Sequence, residues 1–137
     1  MSPADSSKIE IGLEGICERE VPREWTLAHI DPNLPAVFST PSMICLMEIA
    51  ASYAINPALP PGVLTVGTRI EVDHLKAVPA GVFVVAKATL IEISGRRLIF
   101  QVEATSGSEV IGRGRVHRAI VDHVRFDAIA SGKPPSA

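Results

Sequence analysis

Cysteine, strong net charge and paired histidines are all scarce in this sequence, and each shortage excludes a class of protein. Cys17 and Cys45 are the only cysteines, and they match neither a zinc-binding spacing nor a disulfide framework. The formal net charge of -2 leaves no excess of basic residues for contacts to nucleic-acid phosphates. The four histidines form no HxH or HxxxH pair, which argues against a bound metal. We therefore expect no metal, no cofactor and no nucleic-acid partner.

A long apolar run is also missing. No basic N-terminal stretch leads into an apolar segment, as it would in a secretory signal. The most apolar stretch, Met43 to Ile55, is interrupted by Glu48 and is too short to cross a bilayer. We therefore expect a cytoplasmic protein that does not enter a membrane.

The length of 137 residues has room for one domain with one core. The composition, 47% hydrophobic and 20% charged, is ordinary for a soluble globular protein. Residues 1–7 are small and polar, and residues 132–137 combine glycine with two prolines, so both ends are predicted to be loose. The prediction is a single domain over 1–137 in which residues 8–127 are ordered.

One strong helix is predicted after a proline-rich loop over residues 21–41. Thr40 is a good N-cap, and Pro41 fits the first helical position because an N–H there would have no helical partner. From Met43 to Ala51 the helix is apolar on nearly every face, which is typical of a helix buried in a soluble protein. Cys45 lies within this run, so a buried free thiol is expected.

Five strand signals accompany this helix. Runs rich in β-branched residues, separated by glycine-containing turns, cover residues 8–21, 63–78, 82–93, 96–105 and 110–121. One early strand, one buried helix and then a meander of long strands is the order of an α+β fold. It favours an antiparallel sheet wrapped around one long buried helix.

Glu48 is the first residue that packing does not explain. A carboxylate within an apolar helix is costly to bury as an anion unless it has a partner. It could reach a solvent gap or pair with an arginine, and for a lone glutamate this structural explanation is the commoner one. Thr40 lies eight residues earlier, about two helical turns, on roughly the same face. Its place at the helix N-terminus, where free N–H groups favour developing negative charge, makes a catalytic pair the alternative.

His74 is the second such residue. The helix-facing side of the strand over 63–78 is predicted to carry Val66, Thr68, Ile70, Val72 and His74. The other side carries the charges of Arg69, Glu71 and Asp73. A lone histidine on an apolar face is more often a satisfied core residue than a catalyst. An inward glutamate on the facing helix makes proton transfer the competing interpretation.

The last strand contains three arginines. Arg113 and Arg115 alternate with His117, which indicates a solvated outer face held by salt bridges. Arg118 has the opposite parity, so it is predicted to point to the inner side of the sheet. A guanidinium there could contact the phosphates of a nucleotide-tailed thioester.

Three segments resemble the fluoroacetyl-CoA thioesterase-like branch of the hotdog superfamily. They run from Phe38 to Glu48, from Val66 to His74 and from Gly112 to Ala119, within a similarity that covers residues 9–126. In that family the catalytic set is a Thr, a Glu eight residues later and a His twenty-six residues after the Glu. This chain keeps both intervals, with Thr40, Glu48 and His74.

The resemblance implies a hotdog fold and an acyl-CoA thioesterase that acts on a small acyl group. Glu48 is then the nucleophile or general base, His74 handles the proton transfers, and Thr40 orients Glu48 or the carbonyl oxygen. The N–H of Gly67 helps to hold the oxyanion, and Arg118 matches a family arginine near the pocket. Hotdog proteins usually pair their sheets and bind acyl-CoA at the interface, so a homodimer or larger homo-oligomer is expected.

The pocket lid departs from the family pattern. Leu34 stands in an aromatic lid position, and the loop over 31–35 is short of rings. Leu34 and Phe38 are expected to contact the substrate, and the missing ring argues against fluoroacetyl-CoA. Two other functions stay open here. One is a non-catalytic acyl-CoA binding module. The other is a hotdog dehydratase, which is disfavoured because no second inward Asp/His couple is readable.

Overall fold

A computed structural model describes residues 8–133 of the chain. Its elements follow the order β1 (Glu14–Glu20), α1 (Leu27–Ile30), α2 (Thr40–Ile55), β2 (Val63–His74), β3 (Phe83–Ser94), β4 (Arg97–Ser106), β5 (Glu109–Asp122) and α3 (His123–Ala130). Short 3-10 turns precede α1 and follow α2. Of the segments predicted to be loose, residues 1–7 and, within the tail over 132–137, residues 134–137 lie outside the described residues.

The five strands form one antiparallel sheet in the order β1-β3-β4-β5-β2. Helix α2 lies on one face of this sheet and packs mainly on β1 and β3. The core between them contains the large side chains Met43, Leu46, Met47, Leu90, Leu98 and Phe100, all essentially inaccessible to solvent. The predicted α+β architecture, a sheet wrapped around one long helix, is confirmed.

Small residues let the helix lie close to the sheet. Ala50, Ala51 and Ala54 on α2 are buried, and so are the alanines of the sheet, Ala86, Ala88 and Ala104. The approach is closest at Gly15 of β1, where an added Cβ would lie 2.1 Å from the Ala50 carbonyl oxygen. Since a Cβ does not fit there, the sequence needs glycine at this crossing.

The helix begins one residue earlier than predicted. Ser39 is the N-cap, with an extended backbone, and its side chain accepts a hydrogen bond from the Ser42 N–H. The prediction that Thr40 is the N-cap was therefore wrong, because a neighbouring serine supplies the same capping oxygen. Thr40 becomes the first helical residue, and its hydroxyl is free for a different partner.

The expected burial of Cys45 was also wrong. Cys45 is exposed, whereas Cys17 of β1 is buried. The helix is apolar all round, but the sheet covers only one side of it, so the opposite side keeps a surface of Cys45, Ile49 and Ser52 that the chain itself leaves at least partly open.

A β-bulge in β2 changes which residues face the helix. The pairing with β5 shifts between Gly67 and Arg69, so one extra residue stands at Thr68. Before the bulge, Thr65 and Gly67 face the helix side, and after it Ile70, Val72 and His74 do. The predicted uniform alternation was wrong for Val66 and Thr68, because a bulge reverses the side-chain parity.

No helix within residues 8–133 is long and apolar enough to cross a membrane. In the same part of the chain, no group of three histidine, cysteine, aspartate or glutamate side chains comes together as a metal site would require.

Candidate active site

Polar side chains meet α2 at two places, near the two ends of β2. At the C-terminal end of the strand, His74 lies beside Thr40. Towards its N-terminal end, Thr65 and Gly67 lie beside Glu48 and Arg118, the latter from β5. The four predicted polar site residues, Thr40, Glu48, His74 and Arg118, therefore lie on the helix side of the sheet, but in two separate groups.

The first group is a hydrogen-bonded pair. The Oγ1 atom of Thr40 and the Nδ1 atom of His74 are 2.8 Å apart, and the histidine tautomer decides which of the two donates. The other ring nitrogen, Nε2, is buried and has no hydrogen-bond partner among the described residues. Phe38 lies edge-on to the imidazole, with 6.4 Å between the ring centroids. This packing and the hydroxyl contact fix the orientation of the imidazole.

Burial sets the charge state of this histidine. Desolvation lowers the pKa of His74 below its ordinary value of 6.5, and a backbone hydrogen bond at Lys76 opposes this shift only in part. The ring is therefore neutral at neutral pH, and a neutral imidazole can accept a proton.

A cavity of about 250 Å³ opens beside this pair. Its wall is mostly apolar and consists of Leu27, Val37, Phe38, Thr40, His74, Leu75, Lys76 and Ala77. The predicted contact residue Phe38 lines the cavity. Leu34 does not, and it is 42% exposed in the loop between α1 and α2. The proline-rich segment over residues 21–41 supplies part of the wall through Leu27 and Val37.

The second group surrounds the Glu48 carboxylate. The Nη1 atom of Arg118 lies 2.9 Å from Glu48 Oε1, and the Arg118 side chain is only 8% exposed. This contact is an ion pair without the alignment of a hydrogen bond, because Oε1 has no aligned donor among the described residues. The arginine expected as a structural partner of Glu48 is therefore present and nearly buried.

Gly67 makes room for the carboxylate. A Cβ added at this position would lie 2.2 Å from Glu48 Oε2, well inside van der Waals contact. Glycine is thus required here by the closeness of Glu48 to the backbone of β2. The atom in the way is the end of a flexible side chain, so a larger residue would displace the carboxylate rather than the strand.

A single chain keeps the two groups apart. Thr40 and Glu48 are separated by about 12 Å along the axis of α2. Gly67 and His74 are separated by about 20 Å along β2. Glu48 lies against Gly67 and His74 against Thr40, so the carboxylate and the imidazole of one chain do not meet.

Thr65 is the main site residue that sequence reasoning missed. It is buried, and both its hydroxyl and its carbonyl oxygen contact Arg118. Simple alternation placed Thr65 on the outer side of the strand, and nothing in the sequence marks the bulge that turns it inward. Leu75 and Lys76 in the cavity wall were also missed. The strand was predicted to run to residue 78 but ends at His74, so side-chain alternation does not apply to these two residues.

The chain is similar to known thioesterases in sequence and in fold. The family model described as fluoroacetyl-CoA-specific thioesterase matches residues 21–124. The fluoroacetyl-CoA thioesterase of Streptantibioticus cattleyicolor is 38% identical over 122 residues, which covers 85% of this chain and 88% of that protein. The solved structure of the fluoroacetyl-CoA thioesterase FlK aligns with a TM-score of 0.83 at 36% identity, covering 92% of this chain and 98% of that one.

A wider set of structures has the same architecture. A thioesterase superfamily member from Thermus thermophilus aligns with a TM-score of 0.83 at 28% identity, over 96% of this chain and 94% of its own. A hot-dog-like protein from Thermanaerovibrio acidaminovorans is only 20% identical yet reaches a TM-score of 0.82, over 93% and 94% of the two chains. The fold and these likenesses define a thioester hydrolase of the hotdog class. Within that class, the chain belongs to the fluoroacetyl-CoA-specific thioesterase family.

Replacing Gly67 with alanine tests the contact between β2 and the carboxylate. The added Cβ displaces Glu48 from its place beside Arg118, so we expect thioester hydrolysis to fall by about tenfold or more and the melting temperature to fall as well, because the buried guanidinium loses its partner. Steady-state hydrolysis and thermal unfolding measure the two effects. The control is the pair Glu48→Gln and Gly67→Ala/Glu48→Gln, which should have the same residual activity. A Gly67→Ala enzyme with wild-type turnover would contradict this description of the site.

Proposed function

We propose that this protein hydrolyses the thioester of a small acyl-CoA, with Thr40, Glu48 and His74 as the catalytic set. The observation that carries this proposal is the Thr40–His74 pair, 2.8 Å apart, in the wall of the apolar cavity. A neutral, partly buried imidazole next to a hydroxyl, in a mostly apolar cavity, is an arrangement suited to proton transfer at a carbonyl. Family membership supports the same reaction.

The size and lining of the cavity support a small aliphatic acyl group. Pockets for drug-sized ligands range from about 300 to 1,000 Å³, and this one measures about 250 Å³. Apart from the imidazole of His74, Phe38 is the one aromatic side chain among the described residues of its wall, and the remaining apolar residues are aliphatic. Leu34 lies outside this wall. The relative from Streptantibioticus cattleyicolor is a fluoroacetyl-CoA thioesterase, but the lack of a second phenyl-type ring in the described wall favours an ordinary short acyl chain over a fluorinated one.

A second copy of the chain completes the site in this proposal. Strand β2 is an edge of the sheet, and Ile70 at its middle is 37% exposed. A free edge offers unpaired N–H and C=O groups to another strand. Antiparallel pairing of two β2 strands about a two-fold axis near Ile70 would set Gly67 of one subunit opposite His74 of the partner subunit. Glu48 beside Gly67 would then face the partner's His74.

The reaction steps follow from these positions. Glu48 either attacks the thioester carbon directly, giving an anhydride that water then opens, or removes a proton from the attacking water. In both cases the carbon–sulfur bond breaks and CoA departs as the thiolate. The neutral His74 takes up a proton released by the water, directly when water opens the anhydride or through Glu48 when Glu48 is the base, and delivers it to the thiolate. The products are the carboxylic acid and the free thiol, and one water is consumed. Thr40 holds the imidazole at Nδ1, and the Gly67 N–H next to the bulge is the proposed oxyanion donor.

The remaining sequence-based assignments enter the proposal as follows. Phe38 contacts the acyl group from the cavity wall. Leu34, in the loop between α1 and α2, stays a predicted lid contact. Arg118 was predicted as a substrate contact, whereas its observed partners support a role in holding Glu48. A homodimer or higher homo-oligomer and a cytoplasmic location remain predictions.

The test is thiol release from a panel of short, medium and aromatic acyl-CoAs, measured for wild type and for Glu48→Gln. We expect hydrolysis confined to short acyl chains, with kcat at least about a hundredfold lower in the variant. Glutamine keeps the shape of the side chain, and acyl-CoA affinity should change little. Thermal unfolding controls for the buried Arg118 charge that the substitution leaves unpaired. Absence of hydrolysis across the panel with retained acyl-CoA binding would instead identify a binding module.

The pH dependence tests the state of His74. Since burial lowers the pKa of His74, and since only the neutral ring accepts a proton, activity should persist below pH 6.5. It should then fall as the pH drops through the depressed value. The measurement is kcat/KM against pH, which reports groups of the free enzyme. His117→Gln, on the outer face of the sheet, is the control and should leave the profile unchanged. An acid limb centred above pH 6.5 would contradict the assignment.

A further inference from the structure

We propose that Thr65 is a positioning residue that holds the Glu48 carboxylate in place through Arg118. Thr65 lies on β2, two residues before the bulge flank at Gly67, and no substrate group needs to touch it. This inference rests on the proposed function, because the carboxylate that it positions is the one assigned to the reaction. It adds a link that family membership does not provide.

The first link joins Thr65 to Arg118. Arg118 Nε donates to Thr65 Oγ1 at 2.9 Å, and Arg118 Nη2 donates to the Thr65 carbonyl oxygen, also at 2.9 Å. These two nitrogens form one edge of the planar guanidinium, so both hydrogen-bond acceptors on that edge come from a single residue. Both side chains are buried, with 7% relative exposure for each residue. Thr65 therefore fixes the plane and the direction of the guanidinium.

The second link joins Arg118 to Glu48. The remaining nitrogen, Nη1, lies 2.9 Å from Glu48 Oε1. Because this ion pair has no aligned hydrogen bond, it does not itself set the orientation of the guanidinium. That orientation comes from the two bonds to Thr65. On the other side, the backbone at Gly67 limits where Oε2 can lie, so β2 holds the carboxylate from both sides.

The bulge explains how β2 can contact Arg118 through Thr65 and Glu48 through Gly67. The register shift between Gly67 and Arg69 turns Thr65 and Gly67 to the helix side while still placing His74 on that side. Each nitrogen of Arg118 has a protein partner, which supports positioning over phosphate binding. A threonine suits this position because it offers a hydroxyl acceptor on a short, stiff side chain. Valine has the same shape without the acceptor, and it would leave the buried Nε–H unpaired.

The kinetic test compares Thr65→Val, Thr65→Ser and the control Thr89→Val. Thr89 is a strand threonine whose hydroxyl donates to Glu14 at an exposed position on β3, far from the site. We expect Thr65→Val to lower kcat by about tenfold with KM changed by less than about twofold. Thr65→Ser restores the acceptor and should regain most of the turnover. Thr89→Val should behave as wild type. A rise in KM at constant kcat would overturn the proposal by making Thr65 a binding residue.

A second readout does not depend on activity. The Arg118 Nε–H proton should exchange slowly with water in wild type and in Thr65→Ser, and at least about tenfold faster in Thr65→Val. Thr65→Ala, which removes the same acceptor with less volume, replaces valine if that variant fails to fold. Fast exchange of this proton in wild type would overturn the proposal. Exchange as slow as in wild type in both Thr65→Val and Thr65→Ala would overturn it as well. If wild type hydrolyses no thioester, the proposed function fails, and this exchange measurement still decides whether Thr65 holds Arg118.

Discussion

The structure depends on how one carboxylate is accommodated in an otherwise apolar helix. Helix α2 packs on the sheet through Met43, Met47 and three alanines, and Glu48 interrupts this surface. Its side chain is 28% exposed, so water alone does not compensate its charge. Arg118 supplies the opposite charge from β5, and Gly67 supplies the space. Losing one member of such a buried pair typically costs about 3–5 kcal/mol, because the other charge stays buried without a partner. Stability and the proposed chemistry therefore depend on the same few side chains.

This accommodation has a consequence for the active site. Glu48 is fixed against Gly67, and His74 is fixed against Thr40 at the other end of β2. The candidate site of one chain therefore consists of two separate groups. Each group has one buried atom without an aligned hydrogen-bond partner among residues 8–133, namely Oε1 of Glu48 and Nε2 of His74. Buried polar atoms are normally paired. Glu48 Oε1 already faces Arg118, so it is the separation of the two groups along the edge strand β2 that supports a site completed by a second subunit.

Much of the fold was predictable from residue patterns. The apolar run from Met43 and the alternating β-branched runs gave the long helix and all five strands, because burial dictates those periods. The spacing of Thr40, Glu48 and His74, read through the family resemblance, supplied the proposed catalytic set, which stays a prediction. The start of α2 shifted by one residue because Ser39 and Thr40 are both good caps. The uncovered side of the helix, with Cys45, could not be predicted, since its apolar composition resembles that of the buried side.

The bulge in β2 was the most consequential feature that could not be predicted from the sequence. A bulge adds one residue to a strand without a characteristic change in the alternating pattern, and a threonine such as Thr68 does not by itself indicate a bulge. Because of that one residue, Thr65 faces Arg118, so the frame around Glu48 was not foreseen. Similarly, sequence spacing gives no distance across the fold, so the separation of Glu48 and His74 in one chain became visible only in the structure.

The central claim is that the imidazole and the carboxylate of one active site come from different subunits. The most direct test co-expresses Glu48→Gln and His74→Ala chains with different tags, and purifies the mixed dimer. Each variant alone should be inactive. In the mixed dimer one site carries both substitutions and the other carries neither, so about half of the wild-type activity should return. A mixed dimer as inactive as either parent would contradict the claim, because each chain would then need its own Glu48 and His74.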